Sequence, residues 1–591
     1  MSDSELVCRK FKGNVGAPGV IVGLAYCIDR AKLRVTMRLV LPELVLLEKS
    51  RVHDAIEKSR AQLEAALGRD LQEDHRLILE AHLAWLADEY MIQEVLRHIE
   101  TDRINAEWAV KKLFDGLKAT LAGESERTRI ERTQLFDEVA QRLIRNLMGV
   151  QDESLDGVPP GVVIVSHNIS PGDMAHIDRE RVVGLATDLG GPTSHSSILA
   201  RGMELPTVVG LEHITSHVKT GDVLILDAQD GLVFVHPSLE LIDEYQEKIR
   251  KRAARTAELL EMKDLPCVTA DGVAVGLQVN IDLPEEMRLA TNVGIRDIGL
   301  FRTEFIFLAK GGPASEDEQY EIYSRLLREV GRDHYATIRT LDMGYDKVLP
   351  ELNQPGESNP AMGLRAIRFC LQREDIFKDQ LRAMLRASVH GNLRIMVPMI
   401  SCLSELRRAK GILEEVRQEL ELEGREFSDD VRLGIMIEVP SAVIIADILA
   451  AEVDFFSIGT NDLIQYTMAI DRENENVAYL YSPIHQAILR MIKQTVDAAR
   501  EARIEVSMCG EMAGDLQLTM LLIGLGVDNL SMSPAATLKV KDLVRRIDMG
   551  EARALAGRVL GMKTRREIIA LVKDTMHTRF PVEFRDHSWT I

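Results

Sequence analysis

The segment GGPTSHSSILARG, Gly190 to Gly202, places His195 between helix-capping hydroxyls, Thr193 and Ser194, and the helical pattern SSILAR. At a helix N-terminus, free amides and the dipole favour an anion, so an imidazole there is poised to hold a phosphoryl group. One histidine among 15 is most often a hydrogen-bonded core or surface residue; the paired glycines and hydroxyl neighbours set this one apart. A second group lies at the C-terminal ends of short apolar runs: Asn280, Arg302 with Glu304, Arg339 with Asp342, Glu438, Asn461 with Asp462, and Cys509 with Glu511. Lys347 follows the third run, and Arg365 and Arg472 lie on later loops. A guanidinium never loses its charge and its fork suits phosphate or carboxylate, so Arg302 and Arg339 point to an anionic substrate. Glu438 and Asp462 could ligate a hard divalent cation, with substrate oxygens and water completing the octahedron that magnesium prefers. Singly, each charge could be half of a structural ion pair; as a set they read as a site. Cys509, elsewhere a small buried hydrophobe, gains an acid/base role in this company.

These groups need rigid elements to carry them. After residue 262 the chain offers eight separated strand candidates, VAVGLQVNI, DIGLFRTEF, YATIRTLDM, LRIMVPMI, RLGIMIEV, FFSIGTND, IEVSMCGE and DNLSMSP, with helical segments such as Leu403 to Leu422 between most of them. That alternation predicts a (β/α)8 barrel of the TIM type over 263–591, with catalytic groups at strand C-termini. Upstream, NVGAPGVIVGLAYCID reads as a turn and a strand, and GVVIVSH, RVVGLAT, VLILD and LVFVH as further strands. Together they predict a small, discontinuous α/β domain from 1–30 and 151–238 that carries His195. The charged, Leu-rich stretch 31–150 has apolar residues at helical spacing and reads as an inserted helical domain. Residues 239–262 have strong helix formers and no Gly or Pro, as a connecting helix would. Within the insertion, EAHLAWL, with His82 and Trp85, fits an amphipathic core stripe or a partner-binding face equally well.

At 591 residues and about 150 per domain, roughly four domains are expected, fewer with a barrel. Hydrophobic residues are 46% and charged residues 28%, ordinary globular usage. A net charge of −20 repels phosphate backbones and anionic lipid, which argues against nucleic-acid and membrane-surface partners. No run approaches the roughly 18 apolar residues of a membrane span, and the N-terminus shows no apolar signal region. Six cysteines without a CxxC pair indicate neither a disulfide framework nor structural zinc, so a reduced, cytoplasmic setting is expected.

Seven motifs in order, GGPTSHSSILARGMELPTVVG, GLFRTEFIF, RTLDMGYDK, NPAMGLRAIR, IMIEVPSA, GTNDLIQYTMAIDR and MCGEMAGD, resemble enzyme I of the bacterial phosphotransferase system. The resemblance runs from about Gly16 to beyond Ser533. It implies that phosphoenolpyruvate binds in the barrel with Mg2+, or Mn2+, on Glu438 and Asp462. Its phosphate would be held by Arg302, Arg339, Lys347, Asn461 and Arg472, with Arg365 nearby. His195 would take the phosphoryl group, Cys509 would protonate the enolate of pyruvate, and the phosphate would pass to a histidine of the phosphocarrier protein HPr as the first step of sugar uptake. By the same resemblance HPr docks on the helical insertion, around Glu80, His82 and Leu86, and the protein dimerises through the barrel. Tyr345 and Ser170 depart from the family's usual glycine and threonine. Dikinases and synthases share the histidine motif but need a further nucleotide-binding domain, for which this length leaves no room, and the sensory domain of nitrogen-related enzymes I meets the same objection. A non-catalytic binder should have lost some of the charged strand ends.

Overall fold

A computed structural model of the chain describes residues 8–28, 35–67, 82–83, 85–120, 126–149, 158–169, 173–174, 177–191, 195–203, 205–310, 312–344, 359–471, 474 and 477–584. The chain divides into two compact units, Met1–Ala254 and Arg255–Ile591.

The first unit holds an eight-stranded sheet of β1 (Arg9–Lys12), β2 (Asn14–Ala17), β3 (Val20–Ile28), β4 (Val162–Ser166), β5 (Val182–Thr187), β6 (Thr207–Val209), β7 (Val223–Asp227) and β8 (Leu232–Val235). Their order is β1-β8-β7-β3-β4-β5-β6-β2. Strands β3 to β6 run parallel in the middle and the others pair antiparallel at the edges. The continuous apolar run VVIVS is buried at every position, as a central parallel strand requires. One face of the sheet packs Ile164 and Leu185 with Ala200 of the helix His195–Gly202; the other packs Val163, Val165 and Ala186 with Leu211, Ile214 and Val218. Between β3 and β4 run helices Val45–Leu67, Glu89–Asp102, Ala106–Thr120 and Glu126–Met148, which share a separate core including Val95, Val110, Phe114 and Phe136. Three strands differ from the sequence expectation: the edge strand β1, the additional strand β2 and the three-residue β6. The single strand read within 14–29 is two, β2 and β3. Further, β1, with the charged sequence RKFK, pairs at the sheet edge with β8 although it lacks an apolar face.

The helix Leu239–Glu261 packs Leu241, Ile242, Tyr245 and Ile249 on Val20 and Ile225 of the sheet. Its Lys248 Nζ lies 2.8 Å from Oδ2 of the buried Asp227.

The second unit is a closed parallel barrel of β9 (Gly276–Ile281), β10 (Ile298–Phe301), β11 (Tyr335–Arg339), β12 (Asn392–Val397), β13 (Arg432–Ile437), β14 (Phe455–Ile458), β15 (Glu505–Met508) and β16 (Asn529–Met532), with β16 pairing back to β9. All eight strand candidates form, seven within their expected segments and β12 starting one residue earlier, at Asn392. The N-terminal end of the lumen is filled by the Arg394 guanidinium, 3.4 Å from the Tyr335 ring centroid and 2.9 Å from Glu505 Oε2. Toward the other end, Leu300, Met396, Met436, Phe455 and Cys509 form an apolar floor. The polar groups of interest stand above it.

Candidate active site

The C-terminal mouth of the barrel collects its charges because all but Arg365, which stands on the longer segment between β11 and β12, sit on the last residue of a strand or within a few residues of it. Arg339 closes β11 and is buried; its Nη1 lies 2.9 Å from Asp342 Oδ2 and its Nη2 3.1 Å from Glu304 Oε1, on the turn after β10. Arg365 donates through Nη2 and Nε to Asp342 Oδ1 at 2.7 and 3.2 Å, and its Nη1 is 3.7 Å from Asp462 Oδ1. Arg302 Nη1 meets Asp282 Oδ1 at 2.8 Å. Glu438 follows β13 and is fully buried. Its Oε1 accepts from the Met399 amide at 2.6 Å, while its Oε2 has no hydrogen-bond partner among the described residues. Asn461 and Glu511 clasp each other, Asn461 Nδ2 donating to Glu511 Oε1 and the Glu511 amide to Asn461 Oδ1, both at 3.2 Å. The Asn280 amide donates to the Cys509 carbonyl at 2.9 Å and accepts from the Ser531 hydroxyl at 2.6 Å.

Packing around these groups is close enough to demand glycine. A Cβ on Gly459 would fall 2.6 Å from Glu438 Oε2, and one on Gly510 would fall 1.8 Å from Thr460 Oγ1 and 2.7 Å from the Thr460 amide nitrogen. Thr460 opens the helix Thr460–Met468 that carries Asn461 and Asp462, so β15 and this helix are fitted to each other at the mouth.

Electrostatics separate the carboxylates. Burial, reinforced by Asp462 and Asp342, pushes Glu438 well above the usual carboxylate range, with Arg339 pulling the other way. Burial likewise raises Glu304. Burial also acts to raise Asp342, but Arg339 and Arg365 outweigh it and hold that carboxyl below its ordinary value. For Arg339 and Arg365 burial is overcome by these same carboxylates, so both guanidinium groups hold their protons more tightly than usual. The Cys509 thiol is raised by burial, partly offset by the Ser457 hydroxyl. Fixed positive charges on Arg339 and Arg365 thus stand beside Glu438 and Asp462 and offset the repulsion between these two carboxylates only in part. The buried, unpartnered Glu438 Oε2 beside Asp462 is a pair of hard oxygen donors of the kind a divalent cation takes. Among the described residues no group of three or more His, Cys, Asp or Glu side chains forms a metal cage.

In the first unit, His195 is the first residue of the helix His195–Gly202. The described residues before it, Asp188 to Gly191, are pinned from several sides. The Leu189 amide donates to the His167 carbonyl at 3.0 Å, and Gly190 takes φ +113°. The Ser197 hydroxyl ties the Gly191 carbonyl to the first turn at 2.8 Å. The buried Asp188 carboxylate accepts from the Thr215 amide at 3.2 Å and contacts His167 Nδ1 at 3.0 Å.

Of the residues singled out in the sequence, the barrel mouth brings together Arg302, Arg339, Arg365, Glu438, Asn461, Asp462 and Cys509. Lys347, Arg472 and Glu80, with Tyr345, Ser170, Thr193 and Ser194, lie outside the described residues. His82 and Leu86 require a correction as a partner-binding face. Both are buried, and Leu86 packs in the helical core beside Trp85, whose ring meets Phe136 edge-on at 4.8 Å. The described residues of this segment, His82, Leu83, Trp85 and Leu86, thus face the helical core. Two groups at the mouth went unread. Asp282 pairs with Arg302 and is signalled only by following β9. Tyr466 bonds Arg365, and burial pushes its phenol up to about 12; it lies four residues past Asp462, on the same helix face.

Known proteins match this arrangement along the whole chain. Residues 12–131, 158–231 and 256–549 match the family models described as PEP-utilising enzyme, N-terminal, mobile domain and PEP-binding domain. The phosphoenolpyruvate-protein phosphotransferases of Geobacillus stearothermophilus and Bacillus subtilis (strain 168) are each 40% identical over 570 residues, which is 96% of this chain and 98% and 100% of theirs. That of Staphylococcus aureus is 39% identical over 569 residues, 96% of this chain and 99% of its own. The chain therefore belongs to the phosphoenolpyruvate-protein phosphotransferases, enzyme I of the bacterial phosphotransferase system.

Proposed function

We propose that this chain transfers the phosphoryl group of phosphoenolpyruvate to its own His195 and then to a histidine of the phosphocarrier protein HPr, as the first step of sugar uptake in the cytoplasm. The observation that carries the barrel's part is the buried, unpartnered Glu438 oxygen set beside Asp462 and the guanidinium groups of Arg339 and Arg365. In this reading Arg302, Arg339, Arg365, Asn461, Lys347 and Arg472 bind the phosphate and carboxylate of the substrate. Mg2+, or Mn2+, held by Glu438 and Asp462 would neutralise negative charge on the substrate oxygens. A neutral His195 nitrogen attacks phosphorus with its lone pair. The nitrogen–phosphorus bond forms as the bridging oxygen–phosphorus bond breaks, and the electron pair leaves on the enolate oxygen of pyruvate. The fixed guanidinium groups stabilise charge on the equatorial oxygens without reorganisation. Cys509, kept as a thiol by burial, gives its proton to the methylene carbon, and the ketonisation to pyruvate draws the transfer downhill.

Because His195 and the barrel mouth belong to different compact units, the discontinuous α/β domain of 1–30 and 151–238 must approach the barrel of 263–591 and leave it in each cycle. The helix spanning 239–262 serves as the connection. HPr binds the helical insertion of 31–150, and two copies associate through the barrel. Among the described residues no helix is long and apolar enough to cross a membrane. The experiment that tests the second transfer mixes phosphorylated protein with HPr and follows the label. Loss of phosphate from His195 with its gain on an HPr histidine is expected, and retention on His195 at saturating HPr contradicts the partner.

A further inference from the structure

The segment Asn359–Ala366 reaches the barrel mouth in a backbone conformation that its sequence does not favour. Ala366 takes φ +52° and ψ −132°, a region a Cβ makes costly, and such strain persists only where the surroundings over-determine it. Its amide donates to the Met343 carbonyl at 3.1 Å, and Arg365 forms an isolated antiparallel bridge with Gly344. Arg368 Nη1 donates to the Met362 and Gly363 carbonyls of this turn at 3.1 and 3.4 Å, and one hydroxyl fastens Ala361 to a neighbouring helix. Tyr466 Oη donates to the Ala361 carbonyl at 2.6 Å and accepts from Arg365 Nη1 at 3.2 Å. It stands on the helix Thr460–Met468, one turn past Asp462.

We propose that Tyr466 is a positioning residue for phosphoenolpyruvate binding: its hydroxyl latches the Asn359–Ala366 turn to the helix of Asn461 and Asp462 and so aims the Arg365 guanidinium into the mouth. The proposal rests on the substrate site of the preceding subsection. The chemistry of the partner matters. Asp342 and Asp462 hold Arg365 by opposing its charge, whereas a neutral phenol oxygen orients Nη1 and leaves the charge available to an incoming anion. Without the hydroxyl, Arg365 keeps only carboxylate partners among the described residues, and the Ala361 carbonyl loses this donor.

The test uses the full chain in a His195→Ala background, which removes the acceptor and leaves binding at equilibrium. The dissociation constant of phosphoenolpyruvate with Mg2+ is measured by calorimetry. Tyr466→Phe is expected to weaken binding about tenfold, the loss of one hydrogen bond to a charged group. Arg365→Lys weakens it as well, and the double variant binds no more weakly than Arg365→Lys alone, because the hydroxyl acts through Arg365. With His195 intact, Tyr466→Phe raises KM for phosphoenolpyruvate by about the same factor and moves kcat less than about threefold. An unchanged dissociation constant, with or without a lower melting temperature, makes Tyr466 a structural rivet and overturns the latch. Additivity with Arg365→Lys also overturns it. Absence of any binding by the His195→Ala protein itself overturns the substrate site, and the latch with it.

Discussion

Gly510→Ala would place a methyl where the barrel mouth has no space. Its Cβ lands 1.8 Å from Thr460 Oγ1, which a change of the threonine rotamer could relieve, but it also lands 2.7 Å from the Thr460 amide nitrogen and 2.9 Å from its Cβ. Those two contacts fall roughly 0.7 Å short of the usual separation of about 3.5 Å, so the backbone at the start of Thr460–Met468 must move. Overpacking of this kind costs about 1–3 kcal/mol, which leaves a protein of this size folded at room temperature. The functional cost is larger. Asn461 and Asp462 are the next two residues, and a displacement approaching 1 Å in a positioning element is worth up to about 100-fold in rate. The assay is steady-state pyruvate release from phosphoenolpyruvate with saturating HPr, beside a melting curve. We expect kcat/KM to fall by about 10- to 100-fold while the melting temperature drops only a few degrees. Gly557→Ala is the control: nothing lies within 4 Å of its Cβ in the helix Met549–Gly561, so it should leave the rate unchanged and raise stability by about 0.5–1 kcal/mol. Wild-type kcat/KM in Gly510→Ala would refute the claim that this packing sets the site's geometry.

Three further outcomes follow from the same structure. Glu438→Gln keeps the shape and the contact with the Met399 amide but removes the charge, and should lower turnover by about 10²-fold or more at any Mg2+ concentration, several kcal/mol of lost charge stabilisation; an unaltered magnesium titration would contradict the metal assignment. Burial raises the Cys509 thiol, so its proton-bearing form persists above the ordinary thiol range of about 8.5, and the high-pH limb of kcat assigned to it, identified by its loss in Cys509→Ala, should lie above that value; a limb near 7 would be inconsistent with a buried acid. Burial acts to raise Asp227, but Lys248 and the amides of Gln229 and Asp230 outweigh it and hold the carboxyl below its usual range. Its pairing therefore stabilises the fold above an unfolded value of about 3.9 and fades as pH falls through the lower folded value, so Lys248→Met should cost about 1–3 kcal/mol at pH 7 and progressively less toward pH 3, read from melting curves at both. An equal loss at both pH values would count against the ion pair.

The barrel was legible because eight β-branched or aromatic runs, each bounded by polar ends, leave few alternatives, and because a barrel puts those polar ends at one face. Glu438, Asp462, Arg339 and Cys509 could therefore be grouped without knowing a single distance. What the strand ends do not reveal is how charges are shared among neighbours. That Asp342 serves both Arg339 and Arg365, while one Glu438 oxygen has no partner among the described residues, follows from side-chain directions that spacing alone does not fix. Tyr466 lies four residues past Asp462 with no signal of its own in the sequence, and its hydroxyl contacts are what tie it to the mouth. The charged strand Arg9–Lys12 and the three-residue strand Thr207–Val209 carry too little periodicity to be found, being specified by the strands they pair with. His82 and Leu86 show the opposite ambiguity, since helical spacing marks a face without saying which way it looks.

The most direct test of the central claim is to incubate the full chain with phosphoenolpyruvate and Mg2+ in the absence of ATP and to follow intact mass and pyruvate together. We predict an acid-labile gain of one phosphoryl group with release of pyruvate, both lost in His195→Ala. No mass gain, or a gain that requires ATP, would contradict the account.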